Sequence, residues 1–343
     1  MKFSIMFSFV APEGGLLSHR ESFAQFTEVL PLVEALGYHG VHITEHHFQS
    51  DGWLPSPLLV LATAAGLTRR VRLVSNILVS TLYHPVQLLE DLATLDNLSN
   101  GRLGLGTAPG YVREEFAGRG LAYEERFRRH EEIIDFLQHA WRNPDDIGFS
   151  GKLFQVPSLR LQPRPVQPEL PIWYGVSGPQ MLDRAARRGV PVSASPRHTT
   201  AELQEHFARY EAAAARYGYV PPERPVIREA LVLENRAEAI RYGAPGTSQL
   251  FGLYGKKSAS GERALRDDSG ALVTDAGPLG YQALASRFLV GDPAEARDGV
   301  QALIEALHPT EIVLRMQMPD VPTEVLARSL RVFAEQVMPH FDG

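Results

Sequence analysis

Short apolar runs alternate with helix-period segments from one end of this chain to the other, and that rhythm narrows its folds more than any single motif. The runs at 3–9, 40–44, 71–79, 103–107, 172–176, 191–194, 226–233 and 312–316 read as strands. Helical spacing fills 23–36, 57–67, 86–98, 124–141, 180–188 and 201–217, and a last helix is expected near 322–338. Eight strands, each followed by a helix, predict an α/β chain folded as a (β/α)8 TIM barrel, whose chemistry gathers at the strand C-termini. Gly37, Gly101 and Gly189 each stand just past a helix, where a left-handed cap is needed.

Two segments interrupt the rhythm. Residues 148–171, before the fifth strand, carry Pro157, Pro163, Pro165 and Pro168 and read as an extended excursion. Residues 243–289, before the eighth strand, are rich in Gly, Ser and Lys and read as a lid or a mobile insertion. The expectation is one barrel domain over residues 1–343 with these two insertions. Such a barrel is large for one domain, but the 44% hydrophobic content supplies the core it needs.

The formal charge of −6 argues against nucleic acid or an anionic membrane as partner. Arg69-Arg70, Arg187-Arg188 and the arginines between 126 and 129 read as solvated surface. The chain has no cysteine, which excludes disulfides, thiolate metal sites and a cysteine nucleophile. Met1-Lys2 leads straight into strand-like sequence, and no apolar run reaches the length of a membrane span, so a soluble cytoplasmic protein is expected.

The chemistry-bearing residues cluster where strands end. Thr44-Glu45-His46-His47-Phe48 follows the second strand, and neutral histidines there suit acid–base work, although a purely structural hydrogen bond is an alternative. Their spacing is wrong for two metal ligands on one helical face, and no metal site is expected. The stretch 104–110, including Thr107, Ala108 and Gly110, lacks dinucleotide spacing, but its small residues let backbone approach a flat ring. Val176-Ser177-Gly178-Pro179 joins the fifth strand to a helix whose free amides and dipole favour a phosphate, with Ser177 as a simple N-cap the alternative. Arg228 and Arg315 are charges inside apolar strands and need partners, either barrel carboxylates in a structural salt bridge, which is the reading preferred, or an anionic ligand. Tyr111 and Trp173 either flank a ring or belong to the core.

Taken in order, Glu45-His46-His47-Phe48, His84-Pro85-Val86, Leu98-Ser99-Asn100-Gly101-Arg102, Gly110-Tyr111 with Glu114-Glu115-Phe116, Pro171-Ile172-Trp173 and Val337-Met338-Pro339 resemble the luciferase-like flavin-dependent monooxygenases. The pattern also resembles that of the alpha subunit of bacterial luciferase. The resemblance implies a (β/α)8 barrel that takes reduced FMN from a separate flavin reductase, activates O2 and oxygenates a small organic substrate. It further implies a homodimer packed through the helices at 57–67 and 86–98. It points to His46 as the residue needed for turnover and to a non-proline cis peptide at Asn76–Ile77 under the flavin ring, while Glu45 and His47 are expected to orient the strand end or to hold His46 in one tautomer. Thr107, Ala108, Gly110 and Tyr111 would lie against the flavin, and Val176, Ser177 and Gly178 would hold its phosphate. In the luciferase subunit a cysteine and a phosphate-binding arginine stand where this chain has Ala108 and Pro109, so the phosphate charge must be met elsewhere. A deazaflavin-dependent hydride-transfer oxidoreductase and a non-catalytic flavin-binding protein are the alternatives.

Overall fold

The computed structural model describes residues 1–48, 52–256, 265–273 and 278–341. Its strands are β1 (Lys2–Phe7), β2 (Gly40–Ile43), β3 (Arg72–Leu78), β4 (Leu103–Thr107), β5 (Phe149–Ser150), β6 (Gln155–Val156), β7 (Ile172–Gly175), β8 (Val192–Ser193), β9 (Pro225–Val232), β10 (Phe288–Gly291) and β11 (Glu311–Arg315). Its helices are α1 (His19–Ala35), α2 (Pro57–Leu67), α3 (Pro85–Ser99), α4 (Arg113–Ala117), α5 (Arg126–Arg142), α6 (Pro179–Arg188), α7 (Thr200–Arg216), α8 (Arg236–Lys256), α9 (Pro278–Leu284), α10 (Pro293–Leu307) and α11 (Thr323–Gln336).

Nine strands form one curled sheet in the order β10-β9-β11-β1-β2-β3-β4-β7-β8, and every ladder in it is parallel. Each of the eight expected strands is present. Side chains alternate between two buried environments, as a strand covered on both faces demands. Phe3, Ile5 and Phe7 of β1 pack into the large core shared with the helices, whereas Met6 turns inward to meet Ile227 and Val313. Because the strands are parallel, their C-terminal ends open on one side.

Helices start and stop for local reasons. Ser18 and Glu21 form a capping box on α1, and Thr199 and Glu202 form one on α7. Gly37, Gly101 and Gly189 take positive φ beyond their helices, as their positions required. The 148–171 excursion contains the antiparallel hairpin β5–β6. Its turn is tied down by Glu132, which accepts hydrogen bonds from the amides of Lys152, Leu153 and Phe154.

The second insertion differs from its sequence appearance. Its first part continues α8, and β10 adds a ninth strand that was not expected. Gly243, Pro245 and Gly246, within the stretch read as a lid or mobile insertion, lie inside α8. A β-carbon on Gly243 would sit 2.7 Å from a methyl of Val290, and one on Gly246 would sit 2.8 Å from Met318. The glycines let α8 press against the sheet, a contact that local propensity cannot register. Residues 257–264 and 274–277 of this insertion lie outside the described residues.

Candidate active site

Beyond Ile43 the chain leaves β2 as Thr44-Glu45-His46-His47, and the His46 amide donates to the Leu54 carbonyl at 3.0 Å. His46, Asn76, Ile77, Ala108, Gly110, Tyr111, Val176 and Ser177 come together around one cavity of about 200 Å³ at the strand C-termini. Thr107 and Gly178 do not line it. Thr107 is buried within β4, and Gly178 is the N-cap of α6. Ser177, the expected cap, is instead an exposed residue on the cavity wall.

His46 is held at both ring nitrogens. Its Nδ1 lies 3.0 Å from Oε1 of Glu115, a carboxylate only 1% exposed. The same oxygen accepts the His47 amide at 3.0 Å. With Nδ1–H donating to Glu115, Nε2 keeps its lone pair and faces the Tyr111 hydroxyl at 3.3 Å. Trp53 and Tyr111 meet the imidazole edge-on, with ring centroids 5.1 and 5.6 Å away. His46 is therefore an oriented proton acceptor in a partly apolar wall.

Glu45 and His47 have other duties. Glu45 accepts from the His47 ring at 2.7 Å, from the Tyr83 hydroxyl at 2.7 Å and from the Val79 amide at 2.5 Å. These bonds tie the end of β2 to the segment after β3. Of the two roles expected for Glu45 and His47, these bonds give them the first, orienting the strand end, while Glu115 from α4 holds His46. The sequence contained Glu115 as part of an ordered pattern, but nothing local marked it as the partner of His46.

The peptide between Asn76 and Ile77 is cis, as expected from the resemblance. Gly175 on β7 faces Ile77 so closely that a β-carbon there would lie 2.4 Å from Cγ1 of Ile77. Asn76 is hydrogen-bonded through its amide nitrogen to His42 Nδ1 at 3.0 Å, and His42 Nε2 lies 3.1 Å from Glu311. Ser4 also donates to that carboxylate. Burial alone would raise the Glu311 pKa, but the hydrogen bonds from His42 and Ser4 and the nearby imidazole hold it down at about 2.

Among the described residues, Thr44 Oγ1, Asn76 Oδ1 and Ser193 Oγ are three buried polar atoms without a hydrogen-bond partner, all on residues that line the cavity. Orphans of this kind are rare in folded proteins, and three converging on one cavity fit a polar ligand. Sequence reasoning missed Trp53 and the loop Ser193-Ala194-Ser195-Pro196-Arg197, all on the wall. That loop follows a strand of only two residues, and its position after a strand was the sole available signal. Arg315 reaches the cavity floor paired with buried Glu229, which meets the expected salt bridge. Arg228 does not form one; it donates to the Ile227 carbonyl at 3.0 Å, and burial lowers its pKa to about 10. Trp173 stays outside the cavity, stacked under Arg72.

A larger cavity of about 940 Å³ lies among α8, α9, β10 and α10, lined by Ile240, Phe288 and Leu289 beside the Arg236–Glu295 pair. It is remote from the strand-end histidines. Among the described residues no group of three His, Asp or Glu side chains could hold a metal ion, and no helix is long and apolar enough to cross a membrane.

Residues 1–309 match the family model described as luciferase-like monooxygenase. The structure is similar to the monooxygenase RslO1 from Streptomyces bottropensis, at 28% identity and a TM-score of 0.85, covering 99% of this chain and 100% of that one. The oxygenase component of the flavin-dependent trigonelline monooxygenase of Acinetobacter baylyi is 26% identical over 227 residues, 65% of this chain and 62% of the relative. The F420-dependent glucose-6-phosphate dehydrogenase of Amycolatopsis mediterranei is 29% identical over 163 residues, 46% of this chain and 48% of the relative.

Proposed function

Since the chain belongs to the luciferase-like monooxygenase family, we propose that it uses reduced FMN from a partner reductase, together with O2, to oxygenate a small organic substrate. The observation that carries this reading is His46, fixed between Glu115 and Tyr111 on the wall of a cavity whose buried Thr44, Asn76 and Ser193 atoms await a polar ligand. We read the curled sheet as a (β/α)8 barrel with insertions before its fifth and eighth strands, and the cavity as its mouth.

When bound, reduced FMN supplies the electrons that activate oxygen. Asn76, Ile77, Ala108, Gly110 and Tyr111 would accept the ring, with Thr107 supporting that wall from within β4. Val176, Ser177 and Arg197 line the cavity, α6 starts beside them at Gly178, and this group would take the phosphate, whose charge Pro109 cannot meet. His46 exchanges a proton with the substrate through Nε2, while Glu115 keeps the imidazole in one tautomer. Trp53, Met6 and Ile227 exclude water from the pocket. The second insertion, 243–289, is proposed as the cover of the mouth.

Leu59 on α2 and Leu98 on α3 are 72% and 60% exposed. Together with the parallel drawn from the family, this supports a homodimer through these helices, working in the cytoplasm beside its reductase. Equilibrium sedimentation of Leu59→Asp checks the interface.

Anaerobic titration with reduced FMN, followed by an oxygen pulse and stopped-flow absorbance, tests the function. Saturable binding and a slow, multi-step reoxidation support it, and failure to bind reduced FMN overturns it. A second reading, hydride transfer with a deazaflavin coenzyme, is favoured by the likeness to the Amycolatopsis dehydrogenase. Preferential binding of that coenzyme would select it.

A further inference from the structure

Four residues set the hydrogen-bonding character of the cavity floor from behind. Glu311 receives Ser4 Oγ and His42 Nε2 on the same carboxylate oxygen. A carboxylate that accepts from both requires His42 to carry its proton on Nε2. With His42 neutral, Nδ1 is then an acceptor, and the atom of Asn76 that lies 3.0 Å from it is the amide nitrogen. The Asn76 amide oxygen is left turned away from His42, buried and, among the described residues, without a partner, on a residue that lines the cavity. The low pKa of Glu311, about 2, agrees with its ionised state in this relay.

We propose that Ser4, Glu311 and His42 act as positioning residues that lock Asn76 Oδ1 as an acceptor for a hydrogen present only in reduced flavin, so that the site selects the reduced cofactor. The inference rests on the flavin reading above. A flavin ring presents one N–H on its pyrimidine ring in both redox states. The central-ring nitrogen, next to the carbon where oxygen reacts, gains a hydrogen only on reduction. Asn76 and His46 line the same cavity, and His46 is its oriented proton acceptor. The reacting edge of the ring therefore belongs on their side. In the oxidised ring the central nitrogen is itself an acceptor, and two lone pairs would oppose each other across a buried contact.

The proposal is tested by binding rather than turnover. Dissociation constants of the wild-type protein are measured anaerobically for reduced FMN and aerobically for oxidised FMN. The same pair is measured with the deaza analogue of FMN, which has carbon in place of the central-ring nitrogen. Expected are tighter binding of reduced than oxidised FMN and a loss of roughly tenfold for the reduced analogue, the size of one buried hydrogen bond. The oxidised analogue should bind at least as well as oxidised FMN. Asn76→Leu should weaken reduced FMN by a similar factor and leave oxidised FMN within about twofold. Equal weakening of both redox states by Asn76→Leu would place the acceptor on the pyrimidine N–H and overturn the proposal. So would equal binding of reduced FMN and its reduced analogue, an outcome that leaves the flavin function intact. Failure of the wild-type protein to bind either FMN form would instead overturn the functional reading itself. The analogue measurements need no variant to fold.

Discussion

Glu311 offers a sharp test of the buried relay through pH-dependent stability. Its pKa lies at about 2 in the folded chain against an ordinary value of 4.5, although burial opposes ionisation. Folding therefore favours the charged form, and the gain corresponds to roughly 3 kcal/mol at neutral pH. The sign follows from the direction of the shift. The stabilisation is complete above the unfolded value, falls as pH drops and is gone below the folded one. Between about pH 5 and about pH 3 the wild-type protein should lose roughly 2 kcal/mol through this group alone. In Glu311→Gln the side chain has nearly the same shape and cannot titrate, so that part of the slope disappears. Urea unfolding followed by tryptophan fluorescence at several pH values measures both proteins, and all other carboxylates cancel in the difference. Stability curves that stay parallel across this window would refute the reasoning. They would mean that Ser4 and His42 do not donate to an ionised Glu311 in the folded state.

Other perturbations reach the site from different sides. His46→Ala should lower turnover by about 10²-fold or more while reduced-FMN binding changes only a few-fold, as rapid-quench kinetics and titration would show. Glu115→Ala leaves the buried His47 amide without an acceptor and should cost about 1–3 kcal/mol in denaturant unfolding, besides slowing turnover. Unchanged stability would speak against that bond. Gly175→Ala would press a methyl to within 2.4 Å of Ile77, so a loss of about 1–3 kcal/mol and weaker flavin binding are expected from calorimetry and titration.

How much of this was legible beforehand can be traced residue by residue. The eight expected strands could be read because each is a short apolar run, and burial on both faces leaves that mark in the sequence itself. Helix ends were legible for the same reason, since Gly37, Gly101 and Gly189 answer a local conformational need. His46 stood out because its neighbours in the chain carry a recognisable pattern. What the sequence did not disclose are relations between segments far apart along it. Glu115 meets His46 from 69 positions away. Glu311 reaches His42 across 269 positions. Gly243 and Gly246 belonged to a stretch read as an insertion until the β10 residue Val290 and the loop residue Met318 they pack against were in view. Local chemistry is governed by the few residues that share a turn, so sequence alone determined the elements and the histidine. Partners, tautomers and the direction of the Asn76 amide depend on which distant groups folding brings within about 3 Å, and only the tertiary structure decided them.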